Sequence, residues 1–427
     1  MRRAGPACRG AELARQENAR CSIKRPTNQE FREAQDKPYL MTNLKIVPAR
    51  TRREKHQFLH LPWQIQGADP NWIPPLRGNQ KELVGFARHP FYEENESQAF
   101  LALRGGRPCG RVLAIVNQEH MRRYHERRGF FGFFECEDDP EVARGLFDAV
   151  RGWLAERQIH DIRGPVNPSL NYECGLLING FDSPPMFMMT YNPPYYATLI
   201  EGYGFRRVQD LHAFWGHVEM LSKLDKKLQF VVEESKRRFG ITLRPMRASQ
   251  FREDVREFLR IYNSSLQGTW GFTPLSEGEI EHMSSGLRHL IVPEMTSCAE
   301  VGGRAVAASF SLLDYNPRIR QIDGRLFPFG FFRLLTRKRQ IKRIRVISTN
   351  VVPEYQRWGL GLVILSRLIP EARAWGIEEA EFSWVLESNH LSYATLSRGG
   401  AKLTKTYRIY DYGPTVDPIA EQRPGSR

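Results

Sequence analysis

Gln356 to Gly361, in the last quarter of the chain, have the residue types and spacing of an anion site. Gly359 and Gly361 let a backbone come close to a ligand, Arg357 adds a charge-assisted donor, and Gln356 adds a neutral one. The β-branched run before them, Ile344 to Val352, reads as a strand. The apolar run after them, Leu362 to Ala374, reads as a helix. The first N–H groups of a helix have no partner within it, so strand, glycine turn and helix start together suit phosphate oxygens. A bland strand-to-helix turn is the plainer alternative. The stretch lacks the G-K-[ST] of a Walker loop and the first glycine of a dinucleotide fingerprint.

Gln356-Arg357-x-Gly359-x-Gly361 resembles the Q/R-x-x-G-x-G/A motif of the GNAT superfamily, the acyl-CoA N-acyltransferases. The resemblance implies that Val351, Val352, Gln356, Arg357, Trp358, Gly359, Leu360 and Gly361 hold the co-substrate, an acyl-CoA or acyl-carrier-protein thioester. It implies no metal. Asn389 matches an asparagine that touches the pantetheine arm in that family. N-acylation needs a base for the amine proton, donors for the tetrahedral oxyanion and an acid for the leaving thiolate. The tyrosine that supplies the acid in many members is replaced by Ser397 here and by Ile200 in the earlier half, so Tyr393, one turn before, is the expected acid. Glu387, at a strand end beside the pantetheine position, is the expected base, with a solvated carboxylate as its plainer reading. Glu173, Asp210 and His212 are further titratable candidates, each equally readable as structural or exposed.

Those residues need a frame. The chain has 427 residues, 41% of them hydrophobic and 11% aromatic, enough for two domains with their own cores. No apolar run approaches the ~20 residues of a membrane span. Six cysteines without a C-x-x-C pair argue against a disulfide framework or zinc site and favour the cytoplasm. A formal charge of +14 favours polyanionic partners without choosing among them.

Residues 1–40 are polar, Arg-rich and aperiodic, and read as a disordered extension with Met41 as the natural start. A basic helix is expected from Arg50 to Leu61, ended by Pro62. A hairpin turning at Gly105-Gly106, a strand over 129–135, a helix over 140–158 and a strand from Asp161 follow. The same order returns after a charged helical connector, with a hairpin at Gly302-Gly303 and then the glycine turn. At the matching point of the first half stand Asp138 and Asp139, which would repel a pyrophosphate. The fold class is therefore α+β, with two tandem GNAT-like domains, each a mixed, mostly antiparallel sheet flanked by helices. The expected boundaries are 41–217 without the carrier motif, a linker helix at 218–240, 241–413 with the motif, and a disordered tail at 414–427.

Asp69-Pro-Asn-Trp, Phe130-Phe-Gly-Phe-Phe, Gly164-Pro-x-Asn167-x-Ser169 and Asn192-Pro-Pro-Tyr195-Tyr196 resemble the YghO-type bacterial branch, near which bacterial ceramide synthases lie. Asn167, Asn192, Tyr195 and Tyr196 are the expected acceptor pocket. Arg325 to Arg345 holds four phenylalanines, three leucines and eight basic residues without an acid. Phe331, Phe332, Arg337, Lys338 and Arg339 there suit peripheral contact with the inner face of the membrane or with an acidic carrier. An apolar helix with a solvated basic end is the plainer reading. Together these features indicate an N-acyltransferase that moves an acyl group to an amine, with a long-chain lipid amine in view. Two other classes stay open: a non-catalytic module that binds an acyl carrier, and a tRNA or nucleic-acid binder. The second lacks aromatic residues interleaved with base-contact groups, so nucleic acid is not the expected partner.

Overall fold

The structure is a computed structural model that describes residues 43–217, 219 and 226–414. The expectations for residues 1–40, for the start of the connector and for the tail past 414 lie outside the described residues.

In the first half, strands and helices run β1 (Leu44–Pro48), α1 (Arg52–Gln66), α2 (Arg77–Leu83), β2 (Glu96–Arg104), β3 (Arg107–Val116), α3 (Gln118–Tyr124), β4 (Arg128–Cys136), α4 (Pro140–Ala155) and β5 (Asp161–Gly164). Short β6 (Val166–Asn167), β7 (Glu173–Cys174) and β8 (Leu176–Asn179) precede α5 (Tyr196–Tyr203) and β9 (Arg206–His217). The second half repeats this plan with α6 (Lys226–Phe239), β10 (Ile241–Arg244), α7 (Phe251–Ser265), α8 (Glu277–Leu287), β11 (Thr296–Val301) and β12 (Arg304–Leu313). It closes with α9 (Asn316–Gln321), α10 (Gly330–Leu335), β13 (Arg343–Val351), α11 (Leu360–Trp375), β14 (Glu379–Leu386), α12 (His390–Arg398) and β15 (Lys402–Tyr412).

All but β6 and β7 join one sheet, ordered β1-β2-β3-β4-β5-β15-β9-β14-β13-β12-β11-β10, with β8 paired beside β5 on β15. The pairs are antiparallel except β4 with β5 and β13 with β14. The α+β class with tandem mixed sheets flanked by helices is thus the architecture observed. One feature is invisible to periodicity. The last strand of each half lies on the other half's sheet: β15 pairs with β5, and β9 pairs with β14. The two then pair along their length in the middle. Apolar side chains of both halves fill a shared core there, including Leu211, Ala213, Tyr407 and Ile409.

One helix differs from the sequence expectation. Thr51 and Glu54 form a capping box that starts α1, and the helix runs through Pro62 to Gln66 instead of stopping. A proline inside a helix leaves the carbonyl four residues back without its N–H. Here that carbonyl belongs to Phe58, and Nη1 of buried Arg111 donates to it at 2.7 Å. A tertiary donor replaces the missing helical one, so the helix continues.

Candidate functional site

The glycine turn begins where β13 ends. After Val351 the chain makes a short 3-10 turn over Pro353–Trp358, then enters α11 through Gly359. Gly359 has φ +71°, a conformation that penalises any side chain. A Cβ added to Gly361 would meet only Thr349 Cγ2, at 3.7 Å, so the fold itself does not demand glycine there. No side chain caps α11; among its first N–H groups, that of Leu362 bonds back to the Gly359 carbonyl at 3.0 Å. Gln356 is committed inward: its Nε2 donates to the carbonyls of Ser265 and Val351, both at 3.2 Å. Trp358 stacks on Phe239 of α6 at 3.7 Å, and Val352 and Leu360 are buried. The side chain of Arg357 lies outside what the structure describes.

Beside the turn, two parallel strands part. β13 pairs with β14 from Arg343 with Glu379 to Val346 with Phe382, and no further. The register of β13 against β12 shifts at the same point, between Phe310 and Ser311, a bulge that bends the strand away. From Ile347 to Val351 one edge of β13 therefore has no strand partner. Apart from the Val351 carbonyl, which Gln356 holds, the backbone polar groups on that edge could bond an amide-bearing chain such as pantetheine.

The first half parts in the same way, since β4 pairs with β5 only through Phe130 with Arg163. That gap is filled from within. A Cβ on Gly132 would lie 1.7 Å from the Val166 carbonyl, and Asn167 Oδ1 accepts from Phe133 N–H at 2.7 Å. The following helix start is occupied as well. Asp139 caps α4 by accepting from Glu141 N–H and pairs with Arg104 at 2.7 Å.

The other expected acceptor residues are also spent on scaffolding. Asn192 accepts from Leu177 N–H and donates to Leu177 and Pro193 carbonyls. Tyr195 donates to the Cys136 carbonyl, and Tyr196 to the buried carboxylate of Glu135. Asn389 caps α12 by accepting from Ser392 N–H at 3.1 Å. Glu387 is half-exposed and paired with Arg207 at 2.5 Å, and Arg207 also meets Asp210 at 3.3 Å. The carboxylate expected to serve as the base is thus held in an ion pair at the sheet surface.

A second cluster, with no local motif in the sequence, surrounds Arg345. This side chain, fully buried in β13, has no carboxylate partner within ion-pair distance among the described residues. Its Nε donates to Ser383 Oγ at 2.8 Å, and its Nη1 donates to the carbonyls of Phe187 and Met188. Glu381 and Lys405 lie on the same face of the sheet, and Ser383 Oγ also donates to Glu381. Two buried donors here lack a partner: Trp384 Nε1, with Arg345 over its ring, and Tyr407 Oη. Glu173 on β7, from the first half, also senses Arg345. It is enclosed yet partly exposed, and burial pushes its carboxyl up to about 7, against the pull of Arg345. Among the described residues nothing donates a hydrogen bond to it. The signal in the sequence was a charge inside an apolar strand, Ile344-Arg-Val-Ile and Ala380-Glu-Phe.

A run of contacts ties Glu173 to the glycine turn. Two residues before it, Asn171 Oδ1 accepts from Tyr262 Oη of α7 at 3.1 Å. One turn along α7, Ser265 donates to Asn350 Oδ1 at 3.0 Å, and its carbonyl holds Gln356. Tyr393 packs on His212 and Phe214 instead. Directly paired residues share a face, so His212 (with Val385) and Phe214 (with Phe382) lie on one face of the sheet, and Arg345 and Glu381 on the other. A thioester held between β13 and β14 would have Glu173 on one side of the sheet and Tyr393 on the other.

No family model matches the chain. It is 35% identical to Protein YghO of Escherichia coli (strain K12) over 360 residues, 83% of this chain and 91% of that protein. It is 32% identical to the bacterial ceramide synthase of Caulobacter vibrioides (strain NA1000 / CB15N) over 389 residues, 88% of this chain and 99% of the relative. Among solved structures, a tandem GNAT protein from the clavulanic acid biosynthesis pathway aligns with TM-score 0.52 and 12% identity, over 87% of this chain and 99% of that one.

Proposed function

The chain belongs to the YghO-type tandem GNAT acyltransferases, and from that premise we propose that it acylates a long-chain lipid amine at the inner face of the membrane, with Glu173 as the base. The donor is an acyl-CoA or acyl-carrier-protein thioester bound by the second half. Support for that half comes from the open edge of β13 and the uncapped start of α11, against the self-filled gap and Asp139 of the first. The sphingoid type of amine is suggested by the name of the Caulobacter relative.

The observation that carries the reading is the Glu173 carboxyl, raised by burial to about 7 beside Arg345, two residues before the point where β13 loses its pairing with β14. A base with a pKa near the working pH accepts a proton with little cost. The amine gives its proton to Glu173 as its nitrogen bonds to the thioester carbon. The partnerless Trp384 Nε1 and Tyr407 Oη are the donors that would meet the oxyanion. The carbon–sulfur bond then breaks, Tyr393 protonates the thiolate from the opposite face and is reprotonated from solvent, and Glu173 releases the amine's proton to solvent. The amide and free carrier thiol leave.

The test incubates the protein with a mixed acyl-CoA pool, or acyl-carrier thioesters, and a bacterial lipid extract, followed by mass spectrometry for new amides. New N-acyl lipids with wild type, absent with Glu173→Gln, are the expected result. Amides only on soluble amines would refute the lipid acceptor, and undiminished activity in Glu173→Gln would refute the base.

A further inference from the structure

Between β12 and β13 the chain leaves the sheet and returns at Arg343, and the loop carries apolar rings into water. Phe327 is 88% exposed, Phe329 76% and Phe332 64%, with Phe331 half-buried against His289. Single exposed phenylalanines are unremarkable, but several on one loop form a patch that a water-facing surface ordinarily avoids. Cations surround it. Arg333, Arg337, Arg339 and Lys342 have no carboxylate partner within ion-pair distance among the described residues, and Arg318 and Lys338 donate only to backbone carbonyls. Beneath the rings lies an open cavity of about 830 Å³, bordered by Arg318, Phe332, Arg333, Arg337, Lys342 and Arg343. Its one acid, Asp314, is buried: Oδ1 accepts from the Phe187 and Asn316 N–H groups, and Oδ2 lies 3.8 Å from Arg343, which also pairs with Glu379 at 3.2 Å.

We infer that this face docks on an anionic lipid bilayer, with Phe327, Phe329 and Phe332 entering the acyl region and headgroup phosphates seated in the basic cavity. Charge complementarity selects this occupant. Cations without counter-ions, set around a patch of exposed rings on one loop, match an interface that is apolar inside and anionic at its surface. A folded protein partner would instead call for anchors clustered in a packed pocket. The position along β13 agrees. The strand pair closes at Val346, three residues and on the order of 10 Å from Arg343, while the glycine turn lies at the other end of the strand. The docked face is therefore at the acyl end of the cleft, opposite the carrier's phosphates. This inference extends the lipid-amine reading to a particular surface, but it stands on the loop's own geometry.

The experiment is co-sedimentation of the full chain with phosphatidylglycerol-containing vesicles, with pure phosphatidylcholine vesicles as the neutral comparison. Activity is not read, so the result does not depend on the acyl-transfer reading. Wild type should sediment with the anionic vesicles at low salt and be released as salt rises. Phe327→Ser/Phe329→Ser should cut partitioning by about tenfold or more, and Arg333→Glu/Arg337→Glu should abolish the preference for anionic lipid. The residues are exposed, so both variants should melt with wild type; if one does not, Phe327→Ser alone and Arg337→Gln alone carry the comparison. Failure of wild type to bind anionic vesicles overturns the inference, as does binding that neither variant weakens. Binding to an acidic acyl carrier protein through these residues, with vesicles ignored, would make the face a protein dock and overturn it equally.

Discussion

Asn167 accepts the amide hydrogen of Phe133 at 2.7 Å, across a gap in the first half that its counterpart in the second half leaves open. The two halves share a plan, and one has closed it with its own chain. Asn167→Ala should leave the Phe133 N–H without its partner and cost about 1–3 kcal/mol of stability. Thermal melting reads that loss, and calorimetric affinity for CoA should not change. A matched fall in CoA affinity would mean that the first half takes part in carrier binding after all.

Gly361 separates ligand binding from folding. An aspartate there has room beside Thr349, and its charge is favourable at a helix N-terminus. Gly361→Asp should therefore melt at or above the wild-type temperature yet lose measurable CoA or acyl-carrier binding, because a carboxylate would stand where phosphate sits. Unchanged affinity in the folded variant would remove the carrier from this turn.

For Glu173 the sign of the pH effect is fixed by burial. Its carboxyl rises from 4.5 to about 7 in the fold, so its contribution to stability is fully present below 4.5 and is lost as pH climbs through 7. Activity runs the other way, since the base works only when ionised. The rate should rise along an acid limb centred near 7, and Glu173→Gln should lower kcat/KM by about 10²–10⁴-fold. The same variant removes a charge that is costly to bury, so at pH 8 it should melt no lower than wild type. A lower melting temperature with unchanged kinetics would make the residue structural.

Arg111 supports α1 at Pro62 and neutralises Glu135 from 3.4 Å. Arg111→Met should leave the Phe58 carbonyl without its donor and the buried Glu135 carboxylate without its counter-charge, with only the Tyr196 and Gln66 hydrogen bonds remaining, at a cost of about 3–5 kcal/mol. Denaturant unfolding would measure it. Pairing the change with Glu135→Gln should restore part of the loss, as expected of groups in one network.

The sequence shows most strands and helices because alternation and turn glycines are local signals, as at Gly105-Gly106 and Gly302-Gly303. It does not show which strand neighbours which. Nothing in Arg206–His217 or Lys402–Tyr412 says that each completes the other half's sheet, because the two are near-equivalent and could close either sheet. Pro62 misled for a related reason: the donor that keeps its helix going lies on a distant strand. The glycine turn was legible because its chemistry is compressed into six residues. The surroundings of Glu173 were not, because they assemble from β7, β13, β14 and β15, and a lone glutamate between Tyr172 and Cys174 carries no periodicity of its own.

The exchange of β9 and β15 also has a consequence for synthesis. The first half reaches the end of its own strands by His217, but the strand that covers its β5 edge ends at Tyr412. At ~5–20 residues per second, the ribosome takes on the order of 10–40 s to make the intervening segment. During that interval the nascent chain carries an unfinished sheet edge, the kind of surface that invites pairing with a neighbouring chain. Closure of the first half's sheet then waits for β15, so a stop codon before Lys402 would damage the half made first.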